Sequence, residues 1–174
     1  MHLDVEEAIR TRRTHKAFGP REVEPELIAE LIDLARWAPN HHLTNPWRFR
    51  VLGPETRERL MELAESDKPG SAVKLRRAPT LIAVTALLRG DDAADREDLL
   101  APGVAASLVL LGAHARGLAA YWRTVPLLGS PAAAELLGID AAESPVGLLY
   151  LGTPVQEQRA PERAPVSEVL SFLE

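Results

Sequence analysis

There is no cysteine among the 174 residues. That absence excludes a disulfide framework, a thiolate metal centre and a cysteine nucleophile, and it suits a reducing compartment. Aromatic residues are sparse, at 5%, so each tryptophan and tyrosine carries positional weight. The 11 glycines spell neither the P-loop pattern nor a strand-linked dinucleotide fingerprint, which disfavours both nucleotide folds. Ser71, Ser107 and Ser130 lack a nucleophile elbow and a recognised His-and-acid arrangement, so serine hydrolysis has little support. No apolar run approaches a membrane span, Val104 to Ala113 being too short. The start Met1-His2-Leu3-Asp4 has neither the basic lead nor the apolar core of a signal peptide. A cytoplasmic setting is the expectation. A formal charge of -5 argues against nucleic acid or an anionic membrane as the main partner, because both reward a net basic face.

What is present reads as an ordinary folded chain. Hydrophobic residues at 46%, charged residues at 26% and a mean hydropathy of -0.08 predict one domain over residues 1–174 that buries about two thirds of its unfolded surface. Val5, Ala8, Ile9 and Arg12 recur at helical spacing, so residues 4 to about 13 read as a helix capped by Asp4. Pro25 opens a second helix that stops near Trp37, and Pro54 opens a third that runs to about Ser66. Trp47 to Leu52 alternates as a half-buried strand does. Asp67 to Ser71 is loop-like and is expected to be the mobile segment, and a short helical piece follows before Pro79. Thr80 to Leu88 reads as a buried strand. The run Asp91 to Asp98 reads as a solvated face.

Leu99 to Ala115 is apolar nearly all round, with Pro102 and Gly103 blurring its start. Such a helix lies at the hidden centre of a fold or at a subunit interface, and here it is expected to do both. Leu118 to Arg123 and Val146 to Leu151 read as further strands, with a short helix from Ser130-Pro131 to Gly138 between them. The tail holds Pro161 and Pro165 and looks extended until a turn near Val166 to Phe172. Three or four strands alternating irregularly with helices fit an α+β fold or three-layer sandwich around one sheet.

Two segments concentrate chemistry. Arg10-Thr11-Arg12-Arg13-Thr14 gathers guanidinium and hydroxyl donors suited to a phosphate monoester, although cations at a helix end also complement its dipole. Ala38-Pro39-Asn40-His41-His42-Leu43-Thr44-Asn45-Pro46-Trp47 crowds amide, imidazole and indole groups into one loop. Together they fit a phosphorylated, flat heteroaromatic ligand. His41 and His42, with His15 as a third, permit a metal site, but no His-x-x-x-His spacing or flanking carboxylate supports one. Trp37, Trp47 and Trp122 read by default as core, while Trp122-Arg123-Thr124 ends a predicted strand, where ligand groups commonly lie.

In this order the motifs resemble the flavin-dependent nitroreductase family, in its compact branch. Arg12-Arg13-Thr14 is similar to the family's Arg-Arg-Ser, and Ala38-Pro39 through Asn45-Pro46-Trp47 to its Ala-Pro…Gln-Pro-Trp loop. Tyr121-Trp122-Arg123-Thr124 is similar to its Gly-x-Trp-Arg-Ser/Thr strand, and Leu149 through Pro154 to its closing strand and turn. Thr14 stands for serine, Leu43 for asparagine and Asn45 for glutamine. The resemblance implies a three-layer sandwich with a central, mainly antiparallel sheet. It implies a homodimer with FMN at the interface, NADH or NADPH as reductant, and an electron-poor small-molecule acceptor such as a nitroaromatic or quinone. Arg12, Arg13 and Thr14 would serve the phosphate, the ribityl chain and the ring edge. Asn40 and His41, with Trp37 from the partner chain, would meet the isoalloxazine, and Trp122, Arg123 and Thr124 would complete the pocket. Arg163, in an Arg-x-Pro similar to the family's, would add a phosphate contact. No side-chain acid or base is assigned, because the cofactor carries the chemistry. The rival expectations are a flavin sensor or carrier without turnover, a specialised flavin reaction such as dehalogenation, and a structural dimer without flavin.

Overall fold

A computed structural model describes residues 4–173. The helices are α1 (Val5–Thr11), α2 (Pro25–Ala35), α3 (Pro54–Asp67), α4 (Ala72–Leu75), α5 (Asp92–Ala115) and α6 (Pro131–Leu137). The strands are β1 (Trp47–Val51), β2 (Thr80–Leu87), β3 (Ala119–Arg123) and β4 (Glu143–Gly152), in the order β1-β2-β4-β3 with every neighbouring pair antiparallel. Short 3-10 turns occupy His41–Leu43, Pro126–Gly129 and Val166–Glu168.

Alternation along the strands divides the core into two layers. Ile82, Val84, Leu149, Leu151 and Ala120 face α2 and α5, while Leu81, Ala83, Leu148 and Tyr150 face the side covered by α3, α4 and α6. β2 is covered on both faces, which explains why it reads as an unbroken apolar run. The three-layer sandwich expected from the sequence is therefore the architecture found.

Local signals set most boundaries. The Asp4 side chain accepts from the Glu7 N–H at 2.8 Å, and the Ser130 hydroxyl accepts from the Ala133 N–H at 3.3 Å, so α1 and α6 begin at true caps. α1 ends at Thr11, short of the expected residue 13, because Arg12 leaves helical geometry at ψ 135. β4 begins at Glu143, ahead of Val146, although Pro145 lies inside it. Its entry is tied to β1 and β2, where Arg50 holds Glu143 through two bonds of 2.7 and 2.8 Å, and Thr85 bonds the same carboxylate. A bulge between Val84 and Thr85 faces this entry. There Gly147 has φ 150, and a Cβ would meet the Arg123 carbonyl and the Trp122 indole nitrogen at 2.6 Å, so only glycine fits.

The start of α5 corrects the sequence reading. The helix begins at Asp92, seven residues before Leu99, and runs through Pro102. An interior proline costs about 3 kcal/mol, and anchors at the start of the helix offset it. Asp91 accepts from the Ala94 N–H at 2.9 Å, and Asp98 is 1% exposed and bonds both Arg89 and Thr44. The acidic run is thus no uniformly solvated face. α5 is long enough to cross a membrane by length and composition, yet its inner side is packed on α2 and all four strands.

Candidate functional site

The end of α1 builds a cluster of cations. Arg12 closes the helix, its N–H bonded to the Ala8 carbonyl at 3.0 Å. The following residues run along the outer edge of β3, where the His15 N–H donates to Ala120 O at 3.1 Å. Arg13 donates only to the backbone carbonyls of Arg10 and Arg12, at 2.8 and 3.0 Å, and Arg12 reaches the Arg13 carbonyl at 3.5 Å. Among the described residues, carboxylates pair instead with Arg10, Arg36, Arg50, Arg57, Arg76, Arg89 and Arg116. Arg163, far along the chain, comes close enough for its charge to act on Arg12. Burial first, then Arg163 and Arg13, press the Arg12 pKa below its ordinary value. Three guanidinium groups without a carboxylate partner form a site that an anion would relieve.

Two histidines join this cluster. His114, in the last turn of α5, has its Nε2 2.8 Å from the Thr11 hydroxyl. Its pKa is lowered by burial, then by Arg12 and Arg13, with Glu7 opposing. His15 stands beside His114, and its pKa is lowered by burial and then by that neighbour. The His15 Nδ1 is enclosed without a hydrogen-bond partner. Both rings line a cavity of about 450 Å³ with Gly117, Pro154 and Glu157. The sequence reading grouped His15 with the His41-His42 pair; its spatial neighbour is His114, whose placement depends on α5 ending against α1.

The far end of β3 carries a second basic cleft. Trp122 and Arg123 point to opposite faces of the sheet: Trp122 packs with the α5 layer and donates to Val146 O at 3.4 Å, whereas Arg123 reaches the Tyr150 hydroxyl at 3.5 Å. Thr124 is exposed just beyond the strand. A cleft of about 320 Å³ opens beside Arg123, lined also by Asp67, Lys68, Ser71, Lys74 and Pro126. Neither Lys68, in the loop-like stretch, nor Lys74, in the short helical piece after it, carries a local sequence signal; only the tertiary approach of α4 to β3 joins them to Arg123. That loop is tied down by the Gly70 N–H to Glu65 at 2.8 Å and by the Ser71 hydroxyl to the Ala64 carbonyl. From Ala120, beside the arginine cluster, to Arg123 is three residues of strand, about 10 Å.

The proline-bounded loop lies elsewhere. Its backbone takes left-handed values at His42 (φ 52), Leu43 (φ 53) and Asn45 (φ 47), a conformation that side chains with a Cβ resist. Asn40 is engaged inside the loop, accepting from the Asn45 N–H at 2.9 Å and donating to Ala38 O at 3.2 Å. The Thr44 hydroxyl donates to Asp98 at 2.7 Å, and His41 Nδ1 lies 3.6 Å from Glu97. Trp37 is 75% exposed, with the Arg36 guanidinium 5.8 Å from its ring centre. Asp98, which anchors this loop, and His114, which joins the arginines, are about 24 Å apart along α5. Within one chain, Asn40 and His41, held at the Asp98 end of α5, therefore do not share a site with Arg12 and Arg13 at its His114 end; Trp37 follows α2, whose Leu34 packs on Gly112. Among the described residues no group of three His, Asp or Glu side chains is set to hold a metal ion.

Residues 9–71 and 62–153 match the model of the nitroreductase family. The chain is 29% identical over 165 residues to "Putative NAD(P)H nitroreductase YdjA" of Escherichia coli K12, covering 87% of this chain and 89% of that protein. The fold superposes on a nitroreductase-like family protein from Bacillus cereus with a TM-score of 0.89 at 24% identity, covering 100% of this chain and 98% of the other. It also superposes on a "putative nitroreductase in complex with FMN" from Desulfovibrio desulfuricans with a TM-score of 0.77 at 26% identity over 100% and 99% of the two chains.

Proposed function

This chain belongs to the nitroreductase family, and we propose that it is an FMN-dependent oxidoreductase working as a homodimer. The observation that carries the reading is the set of guanidinium groups of Arg12, Arg13 and Arg163, none of them in a salt bridge among the described residues, and suited to a phosphate monoester. The donor set fits the rest of FMN as well. Ala120, bonded by the His15 N–H, lies about 10 Å along β3 from Arg123, which lines a second cleft with Lys68 and Lys74, and a ribityl chain would span that interval between phosphate and ring. When bound, FMN would supply the two-electron chemistry, accepting hydride from NADH or NADPH at N5 and yielding it to an electron-poor acceptor such as a nitroaromatic or quinone.

The residues of the chain bind and orient. Arg12, Arg13 and Arg163 would hold the phosphate, and Thr14 would offer a hydroxyl to the ribityl chain. Lys68, Lys74 and Arg123, which line one cleft, would supply positive charge to a reduced flavin ring held there. Trp122 fastens the end of β3 to the α5 layer, which steadies Arg123 and Thr124. The length of α5 supports the dimer: Asn40 and His41 lie too far from their own arginines and would instead meet the FMN of a second copy, with Trp37, 75% exposed, beside them. An outward apolar strip on α1 and α5, with Val5, Ile9, Leu100 and Val104 exposed, is the surface that copy would cover. The FMN bound to the Desulfovibrio desulfuricans relative and the NAD(P)H in the name of YdjA support the cofactor and the reductant.

The test is the visible spectrum after loading with FMN and desalting, followed by anaerobic NADH and NADPH. Retained yellow colour that either nicotinamide bleaches is expected, with Arg13→Ala losing most of the flavin. Colour that neither bleaches would favour a sensor or carrier. Colourless wild type, or unchanged occupancy and reduction in Arg13→Ala, would overturn the assignment.

A further inference from the structure

His114 belongs to no part of the reading above, yet it sits where a phosphate would act on it. The Thr11 hydroxyl has one hydrogen, which it donates to the Glu7 carbonyl at 2.6 Å. At 2.8 Å from His114 it must therefore accept, from Nε2–H. That bond fixes the tautomer of the neutral ring and leaves Nδ1 as its basic nitrogen.

The charges around the ring come from every element packed there. From α1, Glu7 faces it with Arg12 and Arg13. His15 approaches from the segment along β3, and Glu157 lines the shared cavity from the tail. The charge of Arg163 acts on Arg12. On α5 itself, Arg116 is engaged by Glu30 at 3.3 Å and by Gly112 O at 3.2 Å. Burial first, and then nearest charges that sum to positive, make the ring resist protonation in the chain by itself. A phosphate monoester brings about -1.5 to -2 charges and reverses that field, and the C-terminal end of α5 adds its own preference for a cation.

Resting on the reading of Arg12, Arg13 and Arg163 as the phosphate site, we propose that His114 is a further member of that site, taking up a proton as the phosphate of FMN settles and adding a cation to its hold. By linkage, a ligand that raises the proton affinity of a group binds more tightly when that group is protonated. FMN affinity then strengthens as the pH falls through the imidazole range.

The test titrates FMN, and riboflavin as the phosphate-free control, into wild type and His114→Gln, followed by flavin fluorescence from about pH 8.5 to about pH 5.5. Gln keeps an N–H for Thr11 and does not titrate. The ratio of FMN dissociation constants, variant over wild type, is expected near one at high pH and about tenfold at low pH, the equivalent of about one pKa unit. Ionisation of the FMN phosphate is common to both proteins and cancels in the ratio, and the riboflavin ratio stays flat. A flat FMN ratio overturns the role of His114 and leaves the arginine reading standing. FMN binding no tighter than riboflavin in wild type overturns the arginine reading itself. A second readout uses wild type alone: calorimetry in two buffers of different ionisation enthalpy at about pH 7, where the phosphate is already mostly a dianion. Net proton uptake on FMN binding, beyond that with riboflavin, is expected; none counts against His114.

Discussion

Asp98 near the start of α5 and His114 near its end are both ionisable groups held by hydrogen bonds, yet their surroundings treat charge in opposite ways. Asp98 is closed in by partners of complementary character: Arg89 donates at 2.6 Å and Thr44 at 2.7 Å. His114 instead faces cations, and the arginines beside it have only backbone carbonyls. A satisfied network stabilises the fold whatever is bound. A cluster of like charges contributes little to folding and becomes favourable when an anion arrives, which is the signature of a binding site. The proline-bounded loop belongs to the first class: its left-handed residues persist because Asp98, through Thr44, and Glu97, through His41, hold them.

The largest break in this contrast comes from removing one charge at each end. Asp98→Ala leaves Arg89 and Thr44 without their acceptor and should cost about 3 kcal/mol of stability in urea unfolding. Arg12→Ala, in the same assay without flavin, should change stability by no more than about 0.5 kcal/mol, since no carboxylate loses a partner. Equal losses at the two positions would show that the arginine cluster is structural after all.

The same contrast explains how much of the molecule could be read in advance. Pro25, Pro54 and Pro131 sit at the first helical positions that their chemistry suits, and Asp4 caps its helix as expected; these signals act within a few residues. The start of α5 was hidden because Pro102 is a local breaker, while the groups that overrule it, Arg89 and Thr44 on Asp98, are a matter of folding. β4 gained its first residues through Arg50, almost a hundred positions away in sequence. In the candidate site, Arg12 and Arg13 were legible as neighbours in sequence. His114, Lys68 and Lys74 were not, because only the meeting of helix ends with β3 gives them company. Trp122 and Arg123 are adjacent in sequence, but the period of a strand sends them to opposite faces.

A smaller effect sharpens the contrast at the loop. Leu43 has φ 53 and is 77% exposed, so its side chain packs against little while its backbone is strained by about 1–2 kcal/mol. Leu43→Gly relieves the strain and adds unfolded-chain entropy, for a net gain of about 0.5–1 kcal/mol. In an Asp98→Ala background the gain should shrink, because the clamp that imposes the strain is gone. A double-mutant cycle by urea unfolding measures this coupling; full additivity would mean that Asp98 does not hold the loop in its left-handed form.

The smallest expected effect is a pH dependence at the other end of α5. His15 and His114 have folded-state pKa values pressed below the ordinary imidazole value of 6.5, by burial first in both, and second by Arg12 and Arg13 at His114 and by His114 at His15. A group whose pKa is lower in the folded chain binds fewer protons there. Its contribution to stability is therefore complete above the unfolded value and is lost as the pH falls from about 6.5 through the folded value. Without flavin, wild type should lose stability between about pH 7.5 and pH 5.5, and His114→Gln should lose less, with carboxylate effects common to both proteins. Inorganic phosphate in the buffer should flatten the wild-type decline by supplying the anion that the arginines lack. A decline that is steeper in His114→Gln, or that phosphate leaves untouched, would mean that the imidazole does not feel Arg12 and Arg13, and the distinction between the two ends of α5 would rest on the arginines alone.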